Sequence, residues 1–451
     1  MATSFTADRQ TLLTHSVRPL VVRIAAPSLA AMLAQGVATL ADALYLSGES
    51  PAVSSAVSVC FPLLTAQQTV GFTLGMGAGS HMSRKLGEGD RQSAQDAASA
   101  ALVLAVGFGF LLLAAGLAFL SPLLAALGAD EQVLPHAVAY ARLLLLSAPA
   151  ACTSLVLSSL LRAQGKTPAN MIAYVASSAA GMALSHALIV RAGLGALGAG
   201  VSLLTRELIA LCLLALHTAR TPGIVKPRFR RCALRAPVCS AIAKSGLPTL
   251  LRQGAASLSM ALTSRIAAGF GAAVLSGAGI AARAGALIAS AAIGFGQGFQ
   301  PVCGVNFGAG ELERVRAAYR FCMRTIVFAL CAAGAAFYLY SDALLSLFHA
   351  DADVAAVATR FLRAQSVAFF AQGAVIMMNM LTQSTGMTVR ATLVATSRQG
   401  LFLIPLLLIL PRRFGLAGLI LCPCIADVLA LLFSWRLTRR APAIDKAIPR
   451  R

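Results

Sequence analysis

Asp42 is the residue of this chain best placed to do chemistry. It stands in the apolar stretch RIAAPSLAAMLAQGVATLADALYLSG, fifteen residues after Pro27. A carboxylate in mid-membrane costs ~2.5–3.5 kcal/mol on insertion scales, so its presence there calls for a reason. Withdrawn from water, it can bind and release a proton near neutral pH, or hold Na⁺ as an anion. Gln35 in the same stretch, and Ser185, His186, Glu207, Arg252, Gln297, Gln300, Asn379 and Gln383 in others, are further candidates for an ion site or pocket. An imidazole, with an ordinary pKa of about 6.5, could titrate. Neighbouring helical positions differ by about 100°, however, so His186 turns away from the face of Ser185 and reads as a packed histidine. Gln297, Gln300, Asn379 and Gln383 are amides that can hydrogen-bond a substrate without fixing its charge.

The remaining charges in apolar stretches call for partners. Arg206 and Glu207 are adjacent, so they point different ways and each needs a partner elsewhere. Arg252, Arg265, Arg283 and Arg398 would be prohibitive facing lipid and are expected to face a cleft, an interface or an acid, namely Asp42, Glu207 or Asp427. Asp427 reads as internal packing. An arginine-lined second half would equally suit an anionic substrate. No nucleophile stands beside a base and no His/Cys cluster has metal-ligand spacing, so neither an enzyme nor a metal site is indicated. The glycines of GFGQGFQPVCGVNFGAG follow no strand and are not a dinucleotide loop; they let helices approach closely. Met377, Met378 and Met380 read as packing as readily as an adaptable ligand surface.

The elements that must position these residues are membrane spans. At 58% hydrophobic, 12% charged and mean hydropathy +0.78, the chain has too little polar surface for a water-soluble fold. Twelve apolar stretches reach spanning length, over 20–46, 53–80, 94–120, 134–161, 168–190, 194–219, 241–268, 274–303, 317–341, 354–383, 389–411 and 415–438. The second six repeat the first. Pro27 and Pro248, Gly87 and Gly308, Gly89 and Gly310, Asp130 and Asp351, Arg142 and Arg363, and Gly165 and Gly386 all differ by 221, and Gly195 and Gly415 by 220. Six spans per copy is even, so both copies share one orientation and their pseudo-twofold axis runs along the membrane normal.

The expected architecture is therefore an all-α polytopic membrane protein with twelve transmembrane helices in two six-helix lobes. The division is a tail (1–19), an N-lobe (20–219), a basic linker (220–240), a C-lobe (241–438) and a second tail (439–451). The net charge of +21 would suggest nucleic acid in a soluble protein. Here the basic residues gather in the segments on one side, including Lys226, Arg228, Arg230, Arg231 and Arg235 of the linker, and only Arg191, Arg412 and Arg413 lie in loops on the other. That bias puts both termini in the cytoplasm and makes anionic lipid rather than nucleic acid the partner of the linker. The polar start MATSFTADRQ leads straight into the first span, with no cleavable signal peptide expected.

Four motifs carry a family resemblance over residues 20 to 438. The first span, with its proline ahead of an intramembrane aspartate, resembles the opening helix of the multidrug and toxic compound extrusion (MATE) transporters. GFTLGMGAGSHMSRKLGEGDRQSA and its repeat GFGQGFQPVCGVNFGAGELERVR resemble that family's paired ends of spans 2 and 8, the second most of all in the bacterial MepA/DinF-like branch. LLRAQGKTPANM and RQGLFLIPLLLILPRRFGLAG are similar to its pattern as well. SHMSRKLGEGD lacks the aspartate of the corresponding motif in the major facilitator superfamily.

The resemblance implies export of small organic compounds by alternating access, with Asp42 at the coupling-ion position and no cofactor. It also marks a departure. Many bacterial relatives supply an asparagine and a second aspartate from span 5, and these fall on Gly181 and Ser185. Coupling then rests on Asp42, and a proton is expected rather than Na⁺, since Na⁺ wants several oxygen ligands. A monomer in a bacterial inner membrane is expected. A lipid-linked precursor flippase of the same superfamily and a non-transporting receptor are the alternatives.

Overall fold

The computed structural model describes residues 9–221, 225, 235–341 and 352–439; Asp351 and most of the basic linker lie outside the described residues. Every described element is helical. A short α1 (Arg9–Thr14) precedes α2 (Val17–Ser47), α3 (Pro51–Val59) and α4 (Phe61–Glu88). Next come α5 (Arg91–Ala118), α6 (Leu120–Ala126), α7 (Leu134–Ala163), α8 (Thr167–Ser185) and α9 (Gly195–Arg220). The second half holds α10 (Ala236–Gly269), α11 (Ala272–Gly308), α12 (Leu312–Leu339), α13 (Ala352–Ser366), α14 (Phe369–Ser384), α15 (Thr388–Thr396) and α16 (Ile404–Arg439). Wide π-helical turns, His186–Arg191 and Ser397–Leu403, extend α8 and join α15 to α16.

Local chemistry sets the ends of these helices. Pro51, Pro62, Pro135, Pro168 and Pro237 stand in first turns, where a missing N–H costs nothing. Asp90 caps α5 by accepting from the Ser93 amide at 3.0 Å, and the Ser93 hydroxyl together with that amide holds its carboxyl below the ordinary value. The repeated glycines are helix ends. Gly89 and Gly310 have φ of 85° and 81°, and Gly165 and Gly386 have 74° and 77°. Only glycine takes that left-handed turn without strain.

Among the described residues nine stretches are long and apolar enough to cross a membrane, or up to ten if Asp353–Ser366 and Phe369–Ser384, bent by 52°, form one span. One of the nine, Thr388–Arg439, runs 52 residues and is broken at Gly415 (φ 56°, ψ −137°). At 34 residues α10 is long enough, but it carries Lys244, Arg252 and Arg265.

The apolar core is divided in a telling way. One cluster joins residues of both halves, from Leu12, Leu20, Ile24, Met82 and Leu86 to Ile242, Phe299, Val302 and Val305, at the end where α1 lies. At the far end the clusters are separate: Leu46, Val53, Cys60, Leu124 and Leu144 belong to the first half, and Ala267, Val274, Phe361, Leu407 and Leu419 to the second. The molecule is thus joined at the α1 end and parted at the other.

That junction is built from α2 against α11 and α4 against α10 and α11, at backbone contact. A Cβ on Gly298 would lie 2.2 Å from Cα of Ala25, and one on Gly77 would lie 2.4 Å from the Ile242 carbonyl and 2.9 Å from the Gly246 nitrogen. Adding 221 to Gly77 gives Gly298, and adding it to Ala25 gives Gly246, so these two contacts are the same contact made twice. Gly87 and Gly308, another pair at that spacing, meet each other, a Cβ on each falling 2.1 Å from the carbonyl of Val305 or Arg84 respectively.

α1 straps the joined end. Arg9 donates to the carbonyls of Leu86 (2.8 Å) and Gly87 (2.9 Å) in the last turn of α4. Asn306 of α11 donates to the Leu12 carbonyl at 3.1 Å, and Arg314 of α12 to the His15 carbonyl at 2.5 Å. Arg84 adds a second tie, giving hydrogen bonds to the Gln383 (3.1 Å) and Ser384 (3.2 Å) carbonyls and the Ser245 hydroxyl (3.2 Å).

Candidate functional site

α2 carries Asp42 toward the parted end, where α8 and α9 pack on it. Its Oδ1 accepts from Ser185 Oγ at 2.7 Å and its Oδ2 lies 3.1 Å from Nη1 of Arg206. The Asp42 and Arg206 side chains are 27% and 16% exposed, so the pair is shielded but open on one side. Ser202 of α9 stands 2.7 Å from the Ser185 hydroxyl and 2.8 Å from the Gly181 carbonyl. Ser202 donates its one proton to the Gly181 carbonyl, so its oxygen is left to the Ser185 hydroxyl, which also serves the carboxylate. A Cβ on Gly181 would sit 3.2 Å from Cδ of Arg206. The side chain missing at Gly181 is therefore the room that lets Arg206 reach Asp42.

The other candidates fall into three places. Beside the pair, His186 stacks at a 58° tilt on Tyr45 of α2, ring centroids 5.5 Å apart, and Gln35 is half-buried about two turns below Asp42. Glu207 points away from Arg206 toward the Ser154 hydroxyl of α7. At the joined end, Gln297 and Gln300 line a cavity of about 20 Å³ with Ser80, Ser83, Ser159 and Arg162, room for about one water. There Arg162 is held by the hydroxyls of Ser158 (2.5 Å) and Ser159 (2.7 Å). Gln300 donates to Gln383 at 3.3 Å, and Gln383 donates to the Ser245 carbonyl and the Thr249 hydroxyl, both at 3.1 Å. Asn379 is buried with its amide spent on the Ala391 carbonyl at 2.9 Å.

Of the four second-half arginines expected to seek acids, Arg398 does so: its guanidinium holds the fully buried Asp427 through Nε and Nη2. Arg252, Arg265 and Arg283 hold no acidic side chain among the described residues. Both ion pairs adjoin a π turn, Ser185 preceding one and Arg398 lying in the other.

Sequence reasoning missed Arg206 as the partner of Asp42. The signal was available in the substitution itself: a glycine where the resemblance calls for asparagine leaves a hole, and the next span carries Arg206 near its middle to fill it. It also missed Arg84 and α1, whose contacts depend on which carbonyls two helix ends leave bare.

A helical bundle of spanning length, joined at one end and parted at the other around buried charges, defines a multi-pass membrane transporter rather than an enzyme. The chain belongs to the MatE family, whose model matches it twice, over residues 27–187 and 248–409. It is 25% identical over 393 residues to the multidrug export protein MepA of Staphylococcus aureus, covering 86% of each chain, and 24% identical to that of Staphylococcus saprophyticus, covering 87% of each. In fold it matches a multidrug resistance MATE family transporter of the MOP superfamily in an outward-facing conformation, with a TM-score of 0.92 and 23% identity over 98% of this chain and all of that one. A MOP superfamily transporter from Pyrococcus furiosus, described with a binding pocket of reverse polarity that suggests a different function, matches at 0.89 and 22% identity over 97% and 99%.

Proposed function

We propose that this protein exports small organic compounds from the cytoplasm by proton-coupled antiport, its two halves rocking to open one end and then the other. The observation that carries the reading is the divided core: one cluster shared at the α1 end and two separate clusters at the far end. Close backbone approach at Gly77, Gly87, Gly298 and Gly308 keeps the joined end thin, so that the ties to be broken when it parts are those of Arg84 and α1. The twofold reading rests on the contacts repeated at a spacing of 221 and on the double family match. Division of the long stretch at Gly415, with α10 and the bent pair counted, brings the crossings to twelve. The curated relatives are multidrug export proteins by name, which favours varied organic substrates.

Asp42 is the proposed coupling residue. In the form described its charge is met by Arg206. A Na⁺ ion placed at the same carboxylate would face that guanidinium, a repulsion of roughly 4 kcal/mol at 4 Å and an effective dielectric of 20. The guanidinium opposes a proton as well, since the ion pair must break, but a proton needs only this one carboxylate whereas Na⁺ wants several oxygen ligands. Protonation releases Arg206 and lets Asp42 donate to Ser185, so the two protonation states favour different arrangements of α2 and α9.

The test is flux in proteoliposomes. An imposed pH gradient should drive ethidium movement against the proton flow, and a Na⁺ gradient at fixed pH should not. Ethidium movement that needs Na⁺ would overturn the proton assignment, and gradient-independent leakage alone would overturn the antiport. Orientation has its own prediction from the charge bias. In a cysteine-free background, Ser50→Cys should react with an impermeant thiol reagent added outside sealed cells and Thr221→Cys should not; the reverse pattern inverts the topology.

A further inference from the structure

On α12, Ala317, Arg320, Phe321, Arg324, Thr325, Phe328 and Ala329 recur at three- and four-residue spacing and form one face. With Arg18 at the start of α2 they line an open groove of about 620 Å³. Its three guanidinia, Arg18, Arg320 and Arg324, are exposed, and none has an acidic partner among the described residues. The acid nearest in sequence on this helix, Glu313, is taken by Arg316.

Depth says what this groove meets. Tyr338 and Tyr340 are exposed at the far end of the helix, where aromatic residues mark a membrane interface. At 1.5 Å per residue, about 30 Å of hydrocarbon measured back from Tyr340 ends at Arg320, with Arg324 about 6 Å inside and Phe328 about 18 Å from Tyr340. Two arginines thus stand at the inner edge of the apolar layer on a face that no helix among the described residues covers, and exposed cations there need a counter-charge. Below them Phe328, 78% exposed, offers an apolar wall to a chain.

We propose that this groove binds an anionic phospholipid of the leaflet at the α1 end, its phosphate held among Arg18, Arg320 and Arg324 and an acyl chain laid along Phe321 and Phe328. Arg18 belongs to the first half and the other two arginines to the second, so one headgroup bridges the halves where they are joined. The long guanidinium stems reach up to the headgroup layer while their methylenes stay in the apolar zone.

The experiment is a thermal-melting and native mass-spectrometry titration of the full-length protein in detergent with phosphatidylglycerol, phosphatidylcholine or inorganic phosphate. Phosphatidylglycerol should raise the melting temperature saturably and remain bound in the mass spectrum; the other two should not. The double substitution Arg320→Gln with Arg324→Gln should weaken that effect about 10- to 30-fold, at about 1 kcal/mol per arginine near the surface. Its lipid-free melting should stay that of the wild type, since both side chains are exposed. Arg412→Gln with Arg413→Gln, an exposed basic pair on another element, should leave the titration unchanged. Equal stabilisation by phosphatidylcholine would overturn headgroup selection, equal stabilisation by inorganic phosphate would make this a free-anion site, and an unaltered titration in the Arg320/Arg324 variant would remove the groove from the account.

Discussion

Asp42→Asn abolishes gradient-driven export while counterflow exchange of substrate survives: that is the expected result if the carboxylate serves the ion and not the path. Asparagine keeps the size and the bond from Ser185 but can neither titrate nor pair with Arg206. The variant therefore carries a second cost, an arginine left without its acid. Losing one partner of a buried pair costs ~3–5 kcal/mol, and with side chains 27% and 16% exposed the loss here should be smaller, about 1–3 kcal/mol. The double variant Asp42→Asn with Arg206→Gln removes both charges, so melting should recover toward the wild type while coupling stays lost. Accumulation against a gradient by Asp42→Asn proteoliposomes would take coupling away from this residue. Recovery of coupling in the double variant would show that the charge pair is scaffolding.

One methyl group at the joined end should have an effect of the same order. Gly298→Ala places a Cβ 2.2 Å from Cα of Ala25, and Gly77→Ala one 2.4 Å from the Ile242 carbonyl; backbone cannot swing aside, so helices must separate by more than an ångström. Over-packing of ~1–3 kcal/mol borne by one conformer alone shifts the two-state balance by about 5- to 150-fold. Both variants should fold, since the far-end clusters are untouched, yet transport should fall about tenfold or more. A Met76→Cys reporter, lining the closed cavity, should label faster in each. Gly254→Ala, whose Cβ would meet nothing within 4 Å, is the matched control and should be silent. Normal flux in Gly298→Ala would mean that the joined end never closes this tightly during transport.

Much of the architecture was legible because the repeat is written in residues with backbone duties. Gly89 and Gly310, or Gly165 and Gly386, recur since each ends a helix at positive φ, and Gly87 and Gly308 recur since each faces the other. Charged pairs were harder. A sequence shows that Arg206 and Glu207 diverge, but which neighbour each meets depends on how α9 is rotated against α2 and α7, and the wide turns after Ser185 and Thr396 alter such rotations without a signature in composition. The first span, expected over 20–46, runs from Val17 to Ser47; the second extends beyond its expected end at 80 to Glu88, because LGMGAGSHMSRKLGE continues the helix with small and polar residues that pack between the halves. α1 escaped notice altogether, six residues being too few for a periodic pattern.

α1 also sets a schedule. Its anchors on α4 are made early, but the Asn306 amide and the Arg314 guanidinium lie 294 and 299 residues further along the chain from the carbonyls they hold. At translation rates of about 5–20 residues per second, the segment around Leu12 waits about 15–60 s for them. For that interval a completed first half has a loose strap and an unclaimed apolar face. Cells making the two halves from separate messages would lengthen the wait to the time of a bimolecular encounter, and the first half would be the one most exposed to quality-control proteolysis.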